Sequence, residues 1–299
     1  MIVNGQSNLK VHFAGSDNNI QFMIAADLAN VKYSLFTCYP FISKKKLTSN
    51  FKMTNSDRFV PKLIESRRNH IIMDSGLFTL MFGADKGKKQ TRQSLEEWQD
   101  KTAEFVRQND LKCTCVEIDC QKILGVEEAW YFRERMKKVM PNNRHINVFH
   151  LEDGKYGLDR LIEYSDYIAI SVPELRIHKS KTYKQDTHKL ACYIKNKKPQ
   201  IDIHLLGCTE KGMLEQNSFC TTSDSTSWIA ANRYGRIGSK YHINQLKQSV
   251  REKYTPRVRE EFAKYGLTPT EKTIKSTVDA TISAVLCKKD YEKSCGSQE

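Results

Sequence analysis

The sequence lacks any apolar run long enough to cross a bilayer, and no secretory leader is recognisable at its start. Its 7 Pro and 14 Gly in 299 residues are too few for a linker-rich or low-complexity chain. The nine cysteines are an odd number, and several lie inside apolar runs rather than at the spacings of a disulfide framework. We therefore expect reduced thiols, a cytoplasmic setting and no membrane contact.

Acidic residues are also scarce relative to basic ones, since the formal net charge is +13 and the isoelectric point is about 9.2. Residues 176–198 carry eight Lys or Arg against the single acid Asp186, and residues 233–299 carry fourteen basic and eight acidic residues. A solvated surface explains any one lysine, but a cluster of this kind favours contact with phosphates. The candidate nucleic-acid contacts are Lys179, Lys181, Lys184, Lys189, Arg233 and Arg236.

Strand-like and helix-like segments alternate along most of the chain. Eight strands are predicted at 11–15, 32–39, 70–74, 112–119, 145–150, 167–171, 201–207 and 219–224. Helices are predicted between several of them, at 21–30, 93–108, 127–140, 158–164 and 210–216, with Ser94 as N-cap of the second. This order predicts a (β/α)8 TIM barrel over residues 1–238.

The remaining residues, 239–299, predict a C-terminal helical extension packed on the barrel. Its helices are expected at 243–254, 257–265 and 270–286, followed by a frayed tail from about residue 288.

Six residues, five of them with polar side chains, fall where the predicted strands end, which is the face on which such barrels carry their active sites. These residues are Asp74, Asp119, His150, Ser171, Gly207 and Asp224. Each aspartate alone has a structural explanation as the N-cap of the helix after its strand. Three aspartates at equivalent strand ends favour a catalytic site instead, with two carboxylates acting as nucleophile and base.

Four segments in this order resemble the tRNA-guanine transglycosylase superfamily, and most closely its DNA-modifying branch of phage type, the 7-deazaguanine DNA transglycosylases. The likeness spans about residues 11–238. Its segments are Met73-Asp74-Ser75-Gly76-Leu77-Phe78-Thr79, Glu117-Ile118-Asp119-Cys120, His204-Leu205-Leu206-Gly207 and Ser223-Asp224-Ser225-Thr226-Ser227-Trp228.

The resemblance implies that Asp224 attacks the sugar C1′ and that Asp74 is the general acid/base. A carboxylate can trap an oxocarbenium-like sugar as a covalent glycosyl-enzyme, while a second one carries protons for the departing and incoming bases. Neither a redox cofactor nor a metal is required for this chemistry.

The resemblance also implies a base-binding pocket formed by Ser75, Phe78, Asp119, His150, Ser171 and Gly207. Asp119 matches the carboxylate that pairs with a guanine-like edge, and Phe78 matches a ring that covers the base, although a core phenylalanine is an alternative. Ile170-Ser171-Val172-Pro173 departs from the glycine-rich strand of the tRNA enzymes. The identity of the incoming base therefore stays open.

The structural zinc site of the tRNA enzymes has no counterpart, because this sequence has only Cys287 and Cys295 in the corresponding region. Cys113, Cys115 and Cys120 could suggest another metal site, but buried thiols are the favoured interpretation. No metal is expected.

The expected function is exchange of guanine in DNA for a free 7-deazaguanine base such as preQ0, on a nucleotide flipped out of the stack. The setting would be the host cytoplasm if a phage encodes the chain. Exchange on tRNA is the nearest alternative, with the missing zinc segment and short C-terminal region favouring DNA. A barrel that only binds nucleic acid is a second alternative, against which the two carboxylates Asp74 and Asp224 argue.

Overall fold

A computed structural model describes residues 9–16, 19–42, 68–77, 89–237 and 241–296. Eight parallel strands close a barrel in chain order. They are β1 (Lys10–Ala14), β2 (Tyr33–Thr37), β3 (His70–Asp74), β4 (Thr114–Val116), β5 (His145–Phe149), β6 (Tyr167–Ser171), β7 (Asp202–Leu206) and β8 (Thr222–Ser225). The predicted (β/α)8 barrel is confirmed.

Helices follow most of the strands. They are α1 (Ile20–Leu28), α2 (Tyr39–Ile42), α3 (Arg92–Gln108), α4 (Gln121–Leu124), α5 (Val126–Val139), α6 (Gly154–Tyr164), α7 (Val172–His178), α8 (Tyr183–Lys197), α9 (Lys211–Gln216), α10 (Ala230–Tyr234), α11 (Gln248–Lys264) and α12 (Glu271–Cys295). A small antiparallel pair, β9 (Arg236–Ile237) and β10 (Tyr241–His242), lies between α10 and α11. Among the described helices, none is both long and apolar enough to span a membrane.

The described residues form two compact units. One draws its residues from Met1–Leu35, Arg67–Asn69 and Leu206–Glu299, and the other from Phe36–Ser66 and His70–Leu205. The predicted boundary at residue 238 falls inside the first unit, so the C-terminal helices belong with β1 and β8.

In the first unit, β1 pairs with β2 and β8, and α12 packs against α1, α9 and α11. Several large side chains of this unit are almost fully buried, including Phe13, Trp228 and Phe262.

In the second unit, β3 to β6 pair in sequence order. Its apolar core includes Met73, Leu95, Trp98, Cys115 and Phe132. This core fixes the strand ends from which the polar residues project, since side chains in close-packed interiors have little room to move.

Three predictions about helix ends were wrong. The N-cap of α3 is Thr91, whose side chain accepts from the backbone N–H of Ser94, while the Ser94 hydroxyl oxygen accepts from the backbone N–H of Thr91. The predicted break near Pro256 is absent, because α11 continues through the proline and buries Val258 and Phe262. Burial of these side chains offsets the backbone hydrogen bond that proline cannot donate.

The frayed tail was also predicted wrongly, because α12 extends to Cys295. Charged residues from 288 onward suggested fraying, but they alternate with side chains that face the interior. Tyr291 and Cys295 are 6% and 1% exposed. Tertiary packing of one face therefore stabilises the last turns of the helix.

Candidate active site

The residues predicted at strand ends do lie at the carboxyl ends of the barrel strands. Asp74 and Ser171 are the last residues of β3 and β6, and Asp224 is the penultimate residue of β8. The others follow their strands, with His150 and Gly207 one residue after β5 and β7, and Asp119 three residues after β4. Phe78 lies outside the described residues.

In the first unit, Asp224 is a buried carboxylate, only 8% exposed. The backbone N–H of Gly207 donates to its Oδ1 atom at 2.9 Å. Gly207 has a φ of +61°, a conformation that side-chain-bearing residues seldom adopt. The turn after β7 therefore points the Gly207 N–H at this carboxylate, and the hydrogen bond holds the carboxylate in one orientation.

Trp228, four residues after Asp224, anchors the chain in the interior. Trp228 is fully buried, and its indole N–H donates to the carbonyl of Ala14 at 3.0 Å. The hydroxyl of Ser283 donates to the Trp228 carbonyl at 2.6 Å. The Ser-Thr-Ser-Trp part of the motif thus fixes the turn that follows the strand of Asp224.

Helix α12 supports the same turn. The hydroxyl oxygen of Tyr291 lies 3.1 Å from Ser227 Oγ, which is also 3.2 Å from Thr209 Oγ1. Burial raises the pKa of Tyr291, so its hydroxyl stays protonated and available for hydrogen bonding. Sequence reasoning missed Tyr291, because the tyrosine lies in the segment predicted to fray.

In the second unit, the segment Asp74-Ser75-Gly76 is held through its backbone. The Asp74 carbonyl accepts from Cys38 N–H at 3.1 Å, and the Ser75 carbonyl accepts from the Trp98 indole at 2.7 Å. Gly76 has a φ of +74°, and a Cβ there would lie 2.9 Å from Thr37 Oγ1 and from Tyr39 Cβ. Glycine is therefore needed for this turn, which presents Asp74 at the end of β3.

A polar cluster of the second unit brings together two of the residues predicted from the sequence. His150 Nε2 lies 2.6 Å from Asp119 Oδ1, and His150 Nδ1 lies 3.2 Å from Glu174 Oε2. Lys122 Nζ donates to Glu174 Oε1 at 2.8 Å. We call Asp119, His150, Glu174 and Lys122 the histidine cluster.

The two carboxylates determine the charge of His150. Burial alone would lower the pKa of the imidazole, but hydrogen bonds and charges from Asp119 and Glu174 outweigh it and raise the pKa to about 10. Burial would raise the pKa of Glu174, yet His150 and Lys122 lower it to about 2. At neutral pH, His150 is an imidazolium that donates from both ring nitrogens.

This pairing restricts what Asp119 can do. Its side chain is 38% exposed, and one oxygen accepts from His150. Among the described residues, no donor reaches the other oxygen, Oδ2. Asp119 therefore offers its second oxygen, held in orientation by the bond to His150, to an external ligand.

Ser171 has a local role. Its side chain caps α7 by accepting from the backbone N–H of Glu174 at 3.4 Å. This cap positions Glu174 beside His150. Sequence reasoning missed Glu174 and Lys122, although Ser171 followed three residues later by a glutamate is a typical helix-start pattern.

Glu117, two residues before Asp119, has a different environment. Its carboxylate accepts from Arg133 Nε at 2.7 Å, Arg133 Nη2 at 2.9 Å, Asn147 Nδ2 at 2.7 Å and Val148 N–H at 3.0 Å. The side chains of Glu117 and Arg133 are 3% and 2% exposed. This pair stabilises the interior and is closed to ligands.

The predicted phosphate contacts are on the surface. Four of them, Lys179, Lys181, Lys184 and Lys189, are exposed on α8 and on the turn between α7 and α8. In the first unit, Arg233 and Arg236 are exposed after β8.

Cys113, Cys115 and Cys120 are buried thiols, as expected. Cys113 Sγ and Cys115 Sγ lie 3.7 Å apart, and the contact with Cys113 together with burial raises the pKa of Cys115. Burial and two nearby carboxylates raise the pKa of Cys120 to about 12. Within the described ranges, no group of three or more His, Cys, Asp or Glu side chains is arranged to hold a metal ion.

Comparison with known proteins adds no assignment: no protein-family model matches the chain, and no curated protein matches its sequence. What these residues can do must therefore be argued from their own chemistry. One unit offers an oriented buried carboxylate. The other offers a strand-end aspartate and a charged histidine cluster.

Proposed function

We propose that this protein is a DNA-guanine transglycosylase that exchanges guanine in DNA for a free 7-deazaguanine base of the preQ0 type. The observation that carries the proposal is the environment of Asp224. A carboxylate that is 8% exposed and oriented by the Gly207 N–H at a barrel strand's carboxyl end suits a nucleophile.

In the first half-reaction, an Asp224 oxygen forms a bond to C1′ of the target nucleotide while the bond from C1′ to guanine N9 breaks. Asp74, acting as general acid, supplies the proton that the departing guanine needs. The product is a glycosyl ester on Asp224, and the guanine leaves as a neutral base.

In the second half-reaction, the Asp74 carboxylate takes the N9 proton of the incoming 7-deazaguanine. That nitrogen attacks C1′, and Asp224 leaves as a free carboxylate. Atoms and electrons balance without water, an oxidant or a metal. The sugar keeps its configuration because it is displaced twice.

Base selection is assigned to Asp119 and its histidine cluster. The oxygen of Asp119 not bonded to His150 accepts an N–H from a guanine-type edge. Ser75, Ser171, Gly207 and Phe78 remain proposed pocket residues. The exposed lysines and arginines supply contacts to phosphates, which position the nucleic acid without selecting its sequence.

Incorporation of isotope-labelled guanine and of 7-deazaguanine into duplex DNA and into a tRNA transcript tests the proposal. Wild-type protein should label DNA, and Asp224→Asn should not. Asparagine keeps an oxygen that can accept the Gly207 N–H, so it is a matched control for folding. Label in tRNA alone would reject DNA as substrate, and no label in either would reject the exchange reaction.

A further inference from the structure

The most exposed large apolar side chains of the described residues share a topological position in the chain. Tyr156, Ile177 and Tyr234 are 87%, 77% and 71% exposed. They follow the carboxyl ends of β5, β6 and β8, in α6, α7 and α10. Single exposed apolar residues are ordinary on proteins, but repeated exposure after the same ends of the strands requires an explanation.

Two of these residues belong to the second unit and follow neighbouring strands. β5 and β6 pair directly, with Phe149 opposite Ile170. Tyr156 lies in the first turn of α6, and Ile177 lies six residues after the end of β6. At the rise of a helix, about 1.5 Å per residue, Ile177 stays within roughly 10 Å of that strand end along the chain.

The surroundings of Ile177 are basic. Arg176, Lys179 and Lys181 are exposed, and among the described residues they form no salt bridge. The nearby carboxylate of Glu174 already accepts from Lys122. Ile177 is thus an apolar side chain close in sequence to exposed cations with which no described carboxylate pairs, an arrangement complementary to stacked bases flanked by phosphates.

We propose that Ile177 and Tyr156 enter the base stack of duplex DNA beside the target nucleotide, with Ile177 as a wedge and Tyr156 as a stacking ring. Proteins that kink or open a duplex insert apolar side chains of this kind between base steps. Aromatic rings supply stacking energy that is insensitive to sequence. The inference rests on the proposed function for its partner, DNA, and for the need to extrude a base.

The test uses a duplex in which one strand carries a single guanine with 2-aminopurine as its 3′ neighbour. Binding of the wild-type protein should raise 2-aminopurine fluorescence, because the neighbouring base loses its stacking partner. Ile177→Ala and Tyr156→Ala should each cut this rise to less than half and weaken binding by roughly five- to tenfold. Both side chains are exposed and alanine favours helices, so folding should be unaffected.

Two controls separate insertion from general affinity. Phe219→Ala changes another partly exposed apolar residue, which precedes β8 at the opposite end of the strand, and should behave as wild type. Lys179→Gln with Lys181→Gln should lower the slope of log affinity against log salt, whereas the two apolar variants should leave that slope unchanged.

Insertion into the base stack and base exchange are rejected by different results. Full fluorescence rise in both Ile177→Ala and Tyr156→Ala would overturn insertion, even if base exchange proceeds. Absence of any rise or of DNA binding in wild-type protein would overturn it as well. A rise that depends on both residues, without exchange of labelled guanine, would support insertion and reject the transglycosylase reaction.

Discussion

Glu117 and Asp119 lie two residues apart, yet the protein uses their carboxylates in opposite ways. Glu117 is 3% exposed and accepts four hydrogen bonds, two of them from the fixed fork of Arg133. Asp119 is 38% exposed and shares one oxygen with His150. The difference indicates that a carboxylate is structural when it is buried and accepts several hydrogen bonds within the protein. A carboxylate that is partly exposed and accepts fewer such bonds can receive a ligand.

Their partners differ in a second way. Arginine stays charged at any physiological pH, so the Glu117 pair is permanent. Histidine can lose its proton, and the charge of His150 depends on its two carboxylates. Mutation of the Glu117–Arg133 pair is therefore expected to change the free energy of unfolding. The stability that the histidine cluster contributes is expected to change with both mutation and pH.

Glu117→Gln should give the largest effect. Removing one charge leaves the Arg133 guanidinium buried without its counter-ion, which typically costs about 3 to 5 kcal/mol of unfolding free energy. Asp119→Asn, the matched change two residues away, should cost less than about 1 kcal/mol, because its side chain is partly solvated. Urea denaturation of both variants measures the difference, and equal losses would contradict the distinction between them.

His150→Gln should alter the pH dependence of stability. The folded pKa of about 10 exceeds the ordinary value of 6.5, so the contribution of His150 is complete below pH 6.5 and is lost as pH rises to about 10. Relative to the variant, wild-type protein should lose on the order of 2 kcal/mol across that window, a discounted figure since Asp119 is partly solvated. Parallel curves of unfolding free energy against pH would show that His150 is not held as an imidazolium.

Asp119→Ala should impair use of guanine and 7-deazaguanine alike. The proposed contact to Oδ2 is lost, and an unpaired N–H costs roughly 1 to 3 kcal/mol. Affinity for DNA should persist because the proposed phosphate contacts are untouched. Incorporation of labelled guanine should be measured beside the melting temperature. A lower melting temperature with normal incorporation would assign Asp119 a structural role like that of Glu117.

Lys122→Met should give the smallest effect. Its ammonium group donates to Glu174, but the lysine side chain is 48% exposed. Such pairs contribute about 1 kcal/mol or less, and salt should reduce this further. Denaturation at low and high ionic strength checks the expectation, and a loss as large as that of Glu117→Gln would refute it.

The barrel was predictable from sequence because strand and helix patterns alternate along the chain. Within each element, the order of apolar and polar residues indicates which face is buried. The strand-end placement of Asp74, Asp119, His150 and Asp224 followed from that pattern. The histidine cluster did not, because Glu174 reaches His150 and Lys122 reaches Glu174 from separate connections, and spacing in sequence does not encode such contacts. The last turns of α12 were missed because tertiary burial of Tyr291 overrides the local charge pattern.

The central claim is that Asp224 bonds covalently to the sugar, and trapping this intermediate tests it most directly. Wild-type protein incubated with guanine-containing duplex DNA, without an incoming base, should be quenched, digested and mapped by mass spectrometry. The account predicts a deoxyribose-linked fragment on the peptide containing Asp224, absent from Asp224→Asn and Asp224→Ala. An adduct on another residue, or one formed equally by Asp224→Ala, would contradict the account.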